Sequence, residues 1–227
     1  MKKLLFLTLG IIIYGQAFSQ SQNNYSYSFG IKAANFGDFP KLMNEVRGSE
    51  SYRSSYLNGF VFKFNDNQIS YRFVGSKYYD KNYTFKNVCH DCETVTGTFS
   101  DFTLKAGFER SLIYGVIQPY YGLDLGYRKI YFDGTANNAN NNTLLYDVVV
   151  EKNGALIHPL LGVKVNLYKA MFTVSAEAGI DILYSNDRET KTLNDGNRTT
   201  SIANFRRWGF YNLPLSMLSL QYNFGRQ

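Results

Sequence analysis

Hydrophobic and polar residues alternate along much of this chain. Between Ala170 and Tyr184, apolar side chains occupy almost every second position, and Glu177 and Asp181 lie among the polar residues between them. A period of two places successive side chains on opposite faces of a β-strand. The pattern therefore predicts a strand with one apolar and one polar face. A soluble barrel would bury the apolar face, whereas a membrane barrel would turn it towards lipid.

The same alternation recurs in eight segments, each at least as long as the roughly 9 to 11 residues that a tilted strand needs to cross a bilayer. Short and long connections alternate between them, which is typical of outer-membrane barrels with tight periplasmic turns and long outer loops. We therefore predict an all-β fold, an eight-stranded antiparallel up-and-down transmembrane β-barrel. The predicted segments are 25–36, 52–64, 68–78, 99–110, 118–132, 155–167, 171–184 and 208–224.

Residues 1–19 are predicted to form a secretory signal peptide. Two lysines precede an apolar run that begins at Leu4, and Ala17 and Ser19 supply the small side chains that signal peptidase requires. The run is shorter than the roughly 20 residues of a membrane-spanning helix. The outer-membrane barrel domain is therefore predicted over residues 20–227, with both termini periplasmic.

The link between the sixth and seventh segments predicts how these two strands pair. If residues 168–169 form a two-residue hairpin turn, Leu167 faces Ala170. Further along the same pair, His158 then faces Gly179. The polar residues of both strands share one face in this register, whereas a slip of one residue would put carboxylates against lipid.

Charged side chains on the polar faces are almost balanced in sign, with six certain cations and five anions, among them Lys63 and Asp101. Buried charge is tolerated when it is paired, so a closed lumen accounts for this balance. An eight-stranded barrel is narrow enough for side chains to fill it, which predicts a plugged lumen and no general diffusion pore. The predicted lumen charge network is Lys32, Arg72, Lys105, Glu109, Asp124, Arg128, His158, Lys164, Glu177 and Asp181.

The chain contains 19 tyrosines and 18 phenylalanines, a composition that favours strands. Aromatic residues near strand ends are expected to form girdles at the two membrane interfaces, with outer-membrane lipid between them. The predicted girdle residues are Tyr25, Tyr27, Tyr78, Tyr120, Tyr121, Tyr222 and Phe224.

The two cysteines, Cys89 and Cys92, lie in the sequence VCHDC. A structural zinc site usually has four ligands, and the second histidine of the chain, His158, lies in another segment. In an exported protein, a local disulfide between Cys89 and Cys92 is the favoured interpretation. We predict no metal site and no cofactor. The net charge of +6 includes no basic run suited to nucleic acid, so nucleic-acid binding is not expected.

The C-terminal sequence LSLQYNFGRQ resembles the terminal strand of bacterial outer-membrane barrels, in which an aromatic residue, here Phe224, is recognised by the barrel assembly machinery. With the signal peptide and the eight segments, the mature chain resembles the outer membrane protein β-barrel domain family of Bacteroidota, including its PorT-like group. It is also similar in plan to the OmpX and OmpA barrels. The resemblance implies roles in envelope integrity, adhesion or accessory secretion, with a surface or secretion-system protein as partner.

Three functions remain open from the sequence. The leading one is a non-enzymatic envelope protein that acts through long extracellular loops. The second is a barrel-embedded lipid-modifying enzyme with His158 as its base, but Ser175 lies roughly 13 Å from the position predicted to face that histidine. The third is a soluble lipocalin-like carrier. A lipocalin has a Gly-x-Trp motif near its first strand, whereas the single tryptophan here is Trp208.

Overall fold

The computed structural model describes residues 25–43, 45, 52–66, 68–87, 92–193 and 199–226. Each strand pairs antiparallel with its sequence neighbours, and the last strand pairs with the first. This confirms the predicted eight-stranded up-and-down barrel; the predicted signal peptide lies outside the described residues. The strands are β1 (Tyr25–Asp38), β2 (Tyr52–Asp66), β3 (Ile69–Asn87), β4 (Glu93–Ser111), β5 (Ile117–Asn138), β6 (Leu144–Leu167), β7 (Phe172–Leu193) and β8 (Thr200–Arg226).

No helix among the described residues is long and apolar enough to cross a membrane.

The barrel has a turn end and a far end. The short connections after β2, β4 and β6 lie at the turn end, where Tyr25 of β1 also pairs with Arg226 of β8. The connections after β1, β3, β5 and β7 lie at the far end. Both ends of the described chain are therefore on the side of the short connections.

The strands are longer than the alternation predicted, because β5 to β8 each contain 22 to 27 residues. The prediction of four long loops is wrong for three of them. Only residues 88–92, 139–143 and 194–199 separate the strands there. The parts added to the strands are rich in threonine, valine and tyrosine, which favour strands. Within them, apolar residues occupy the alternate positions that are polar in the rest of each strand. The connection from β1 to β2, residues 39–51, is the one that remains long.

The turn between β6 and β7 also differs from its prediction. Leu167 pairs with Phe172 instead of Ala170, so the turn contains four residues. Residues 168–170 all have positive φ, and the amide of Met171 donates to the carbonyl of Tyr168 over 3.1 Å. The register changes by an even number of positions, so each side chain keeps its predicted face.

The half of the barrel next to the turn end, which we call the lower half, has apolar side chains outside and polar side chains inside. On β5, Gln118, Asp124 and Arg128 point inward and are buried. The side chains at odd positions from 121 to 127 point outward and are between 37% and 58% exposed, namely Tyr121, Leu123, Leu125 and Tyr127. The prediction that the apolar faces point away from the lumen is therefore correct in this half.

Beyond Arg128, in what we call the upper half, this polarity is reversed. Ile130 and Phe132 point into the barrel and are fully buried, whereas Lys129 points outward and is exposed. The upper half therefore has an apolar core, as a water-soluble barrel does. The buried residues of this core are Leu42, Met43, Phe85, Val95, Phe99, Ile130, Phe132, Ala136, Tyr146, Val148 and Val150.

Main-chain pairing does not close the upper half among the described residues. The β1–β8 ladder extends no higher than Phe36 with Leu215, and the β2–β3 ladder no higher than Gly59 with Ser76. Above these levels β3 to β8 continue as an open sheet. Residues 39–43 cover its interior, because Leu42 and Met43 belong to the apolar core.

Candidate functional site

All ten residues of the predicted lumen charge network are buried inside the barrel. Together with Lys63 and Asp101, they form two groups at different heights. The lower cluster, defined as Lys63, Arg72, Glu109, Asp124, Lys164 and Glu177, contains three cations and three carboxylates. The upper cluster contains Lys32, Asp101, Lys105, Arg128, His158 and Asp181.

Arg72 lies at the centre of the lower cluster and contacts all three of its carboxylates. Its two terminal nitrogens donate to Glu177 over 2.6 and 2.8 Å in a bidentate pair. Its Nη1 also lies 3.2 Å from Glu109, and its Nε lies 3.1 Å from Oδ1 of Asp124. Strands β4, β5 and β7 are therefore tied to β3 through one guanidinium group.

Glu109 receives the remaining cations of the lower cluster. Lys63 donates to its Oε2 over 2.7 Å, and Lys164 donates to its Oε1 over 3.2 Å. The two ammonium groups also lie 5.6 and 5.5 Å from the ring centroid of Tyr120, within the range of cation–π contacts. The charges of the lower cluster cancel, because three cations face three carboxylates.

Tyr120 and Tyr78 are not girdle residues, contrary to the prediction. Tyr120 is 1% exposed and donates its hydroxyl to Glu177 over 2.7 Å. Tyr78 packs against the apolar core of the upper half. Adjacent residues on a strand face opposite ways, so Tyr120 could not share the outer face with Tyr121. Applying this alternation to each residue, instead of using closeness to a strand end, would have identified both inward side chains.

The other predicted girdle residues lie near the turn end. Tyr27, Tyr222 and Phe224 are between 37% and 48% exposed, and their rings stack on one another. Tyr121 is 37% exposed, and Tyr25 is half-buried at the start of β1. Phe62 and Phe64 of β2 extend this aromatic band around the barrel.

In the upper cluster, Arg128 forms a two-bond pair with Asp101 over 3.0 and 2.6 Å. Its third nitrogen lies 3.5 Å from Asp181. Lys105 is also near Asp181, but the closest approach is 3.8 Å, so the contact is weak. Asp181 is therefore shared between Arg128 and Lys105, whereas the described ion pairs join Asp101 to Arg128 alone.

His158 lies beside Asp181, with its Nδ1 2.8 Å from Oδ1 of that carboxylate. This differs from the sequence prediction, which placed Gly179 opposite His158 and Asp181 on the diagonal. His158 is fully buried, and none of the described hydrogen bonds joins it to a hydroxyl group. Ser175 instead shares its hydrogen bonds with Ser219 and Gln221.

The far end of the barrel is closed by residues 39–43. The guanidinium group of Arg53 lies within 5.0 Å of the ring centroids of Phe39, Tyr78 and Tyr83 and forms an ion pair with Asp80. The cation thus holds the start of the β1–β2 connection against the wall formed by β3.

A second cation, Lys152, holds the same segment from the opposite wall. Its ammonium group donates to the carbonyl of Lys41 over 2.5 Å and lies 3.3 Å from Asp187. Asp187 also pairs with Arg207 over 2.6 Å. Burial lowers the pKa of Lys152 to about 8, and the Asp187 carboxylate opposes that shift. Sequence reasoning missed both Lys152 and Asp187, because they lie in segments that were predicted to be loops.

The predicted disulfide falls partly outside the described residues. Cys92 is disulfide-bonded, whereas Cys89 is not among the residues that the structure describes. Within the described part of the chain, no group of three or more histidine, cysteine or acidic residues is arranged to hold a metal ion.

No protein-family model matches this chain, and no curated protein matches it. Among solved structures, the crystal structure of a major outer membrane protein from Thermus thermophilus is similar, with a TM-score of 0.49 and 10% sequence identity. The alignment covers 88% of this chain and 100% of that chain.

Replacing Arg72 by methionine is expected to destabilise the barrel by about 3 to 5 kcal/mol, because three buried carboxylates lose a shared cation. The measurement is the midpoint of urea unfolding in detergent micelles. Arg110→Met is the matched control, since Arg110 is exposed on the outer face of β4. Equal midpoints for the two variants would contradict the role given to Arg72.

Replacing Lys152 by methionine should open the far end, because the Lys41 carbonyl loses its donor. Since that carbonyl belongs to a bond that trypsin cleaves, we expect cleavage after Lys41 to accelerate about tenfold, the effect of losing one charged hydrogen bond. The readout is the mass of the released fragments. Lys129→Met, which alters an exposed lysine, should leave the rate unchanged.

The same assay has a pH dependence. The pKa of Lys152 is lower in the closed barrel than the ordinary 10.5, so the closed mouth should gain stability as the pH rises from about 8 towards 10.5. The ratio of cleavage rates between Lys152→Met and the wild type should therefore grow over this interval. A constant ratio from pH 7 to pH 10 would contradict the assignment.

Proposed function

We propose that this protein is an integral barrel of the bacterial outer membrane whose lower half spans the bilayer. The observation that carries the proposal is the change of polarity along single strands. On β5, outward-facing apolar residues extend from Ile117 to Tyr127, which matches the roughly 9 to 11 residues of a tilted transmembrane strand. Such a continuous apolar belt is far larger than the patches that soluble proteins leave exposed to water.

The orientation of the barrel in the membrane follows from the connections and termini that lie at each of its two ends. Short turns and both described termini lie together, as on the periplasmic side of outer-membrane barrels. The upper half, with its polar exterior and apolar core, is suited to water outside the cell. Phe224 near the C-terminus is exposed on the lower half, where the barrel assembly machinery would recognise it during insertion.

We assign no transport or catalytic role to the lumen. The lower cluster fills it at one level, and residues 39–43 cover it at another. Among the described residues, no hydroxyl group is hydrogen-bonded to His158, so the enzyme alternative has no nucleophile there. The lipocalin alternative requires apolar residues to face the lumen at the height of the belt, where Arg72, Glu109 and Glu177 lie instead.

The surface of the upper half is the part that we assign to function, as a non-enzymatic binding surface for a surface or secretion-system protein. Residues 200–211 of β8 pair with β7 but with no other described strand. Unpaired strand edges recruit extended segments of partner proteins. Trp208 and Phe210 are 59% and 68% exposed near this edge and supply apolar anchors. The resemblance to the PorT-like group supports an accessory role in secretion, adhesion or envelope integrity.

Fractionation and cross-linking in cells test both parts of this proposal. The wild type and a Trp208→Ala/Phe210→Ala variant should both reach the outer membrane, partition into detergent and migrate differently on gels after boiling. Surface cross-linking should trap a partner with the wild type and at least tenfold less with the variant.

One control variant and two outcomes separate the location from the role. Leu125→Ala removes an equally exposed apolar side chain within the lower belt and should leave the cross-linked species unchanged. Recovery of the wild type in a soluble fraction would overturn the proposed location. Equal cross-linking by the wild type and the Trp208/Phe210 variant would overturn the proposed binding surface.

A further inference from the structure

Two neighbouring rows of side chains on the outer wall differ in chemistry. Residues that pair directly across antiparallel strands share a face, so the outward belt residue Tyr127 identifies a row that crosses four strands. This row, which we call the apolar row, is Tyr127, Ala155, Tyr184 and Trp208. The next row towards the far end, the polar row, is Lys129, Asn153, Asn186 and Arg206. Basic and amide side chains therefore replace apolar ones within two residues on each strand.

An open groove of about 560 Å³ lies on the outer wall at the polar row. Its lining includes three residues of that row and two of the next row up, namely Asn153, Asn186, Arg188, Asn204 and Arg206. Arg188 and Arg206 are exposed on adjacent strands, and they take part in none of the described hydrogen bonds and ion pairs. The groove is as large as pockets for small ligands, which have volumes of roughly 300 to 1,000 Å³.

The charges of the groove favour an anion. The carboxylates that line it are Glu151 and Asp187. Asp187 is buried and is paired with two other cations, whereas Glu151 lies opposite Arg188 and offsets its charge. The groove therefore keeps the positive charge of Arg206, and Lys129 of the polar row adds a second at its border. Two further exposed carboxylates of β5 and β6 lie at least four residues above the polar row, at Asp133 and Asp147.

Three asparagine amides give the groove polar groups that a bare phosphate does not require. The hydroxyl of Tyr127 donates to Oδ1 of Asn153 over 2.9 Å, which leaves the Nδ2 donors of that amide available. Asn186 and Asn204 are exposed and join none of the described hydrogen bonds. Amides can donate to and accept from the hydroxyl groups of a sugar, whereas guanidinium groups bind phosphate. The groove thus combines the recognition chemistry of a phosphate with that of a sugar.

We propose that this groove binds the phosphorylated sugar headgroup of an outer-membrane glycolipid, an inference that rests on the membrane location proposed above. Arg188 and Arg206 would bind the phosphate, and the three asparagines would bind the sugar. The acyl chains would lie on the apolar row and on Ile157 and Ile182, which pair with each other next to it on the side of the turn end. A free sugar phosphate makes no use of this apolar wall, so a lipid is the favoured source. The main-chain edge of β8 stays free for the partner proposed above.

Trp208 can report on this site, because it is the single tryptophan of the chain and its ring centroid lies 4.9 Å from that of Tyr184 in the apolar row. The purified barrel is placed in micelles that contain phosphatidylcholine with brominated acyl chains, which quench tryptophan on contact. Lipid A, a phosphorylated disaccharide with acyl chains, is then added as the probe. We expect lipid A to displace the brominated lipid and restore the fluorescence at a lower mole fraction than phosphatidylglycerol, which is anionic but has no sugar.

Replacing both arginines tests their role. Arg188→Gln/Arg206→Gln should require about tenfold more lipid A for the same recovery of fluorescence, the effect of losing roughly one charged hydrogen bond. Arg188→Lys/Arg206→Lys restores the two charges and should regain part of the wild-type response. Lys77→Gln/Lys81→Gln, which removes two exposed lysines of β3, should leave the response unchanged.

The outcomes separate this site from the membrane location. Because the two arginines are exposed, the glutamine variant should keep the heat-modifiable migration of a folded barrel, and loss of that migration would overturn their assignment to a ligand. Equal lipid A requirements for the wild type and the glutamine variant would overturn the site, as would equal effects of lipid A and phosphatidylglycerol on the wild type. A tryptophan that brominated lipid does not quench would overturn the membrane location, and the site with it.

Discussion

The structure depends on the pairing of charges that are buried inside the barrel. Moving a single ion out of water costs several kcal/mol, so Arg72 and its neighbours can occupy the barrel only as a matched set. Arg72 meets three carboxylates, and Glu109 meets three cations. These contacts join strands that are distant in sequence across the interior. The wall is then free to present apolar side chains on its outer face.

The arrangement with charged side chains inside and apolar side chains outside ends at one height on the barrel. Arg128 is the last charged residue that points inward on β5, and Ile130 is the first residue of the apolar core above it. On the outer face, Tyr127 is followed by Lys129. In the proposed membrane location, the two faces change together because the surroundings change there, from an apolar medium that tolerates no unpaired polar group to water, which requires an apolar core.

Alternation along the sequence was sufficient to predict the number of strands, their order and nearly every charged side chain of the lumen. It succeeded because a period of two determines the face of a residue even when the register is shifted by two positions. His158, on the strand before the turn at 168–171, is an example. It failed for the upper half, where 144–154 alternate in the opposite phase and were interpreted as loop. It also failed for Tyr120, because closeness to a strand end was allowed to outweigh parity. The covering of the far end could not be predicted, since it depends on how residues 39–43 fold over the lumen.

The most direct test of the account is the accessibility of spin labels placed singly along β5 in lipid vesicles. The structure predicts that labels at 121, 123, 125 and 127 collide with dissolved oxygen and not with a polar nickel complex. Labels at 129 and 131 should show the opposite behaviour, so that the change occurs within two residues. Preferential collision with the nickel complex at all six positions would show that the belt faces water, and the membrane location would then be wrong.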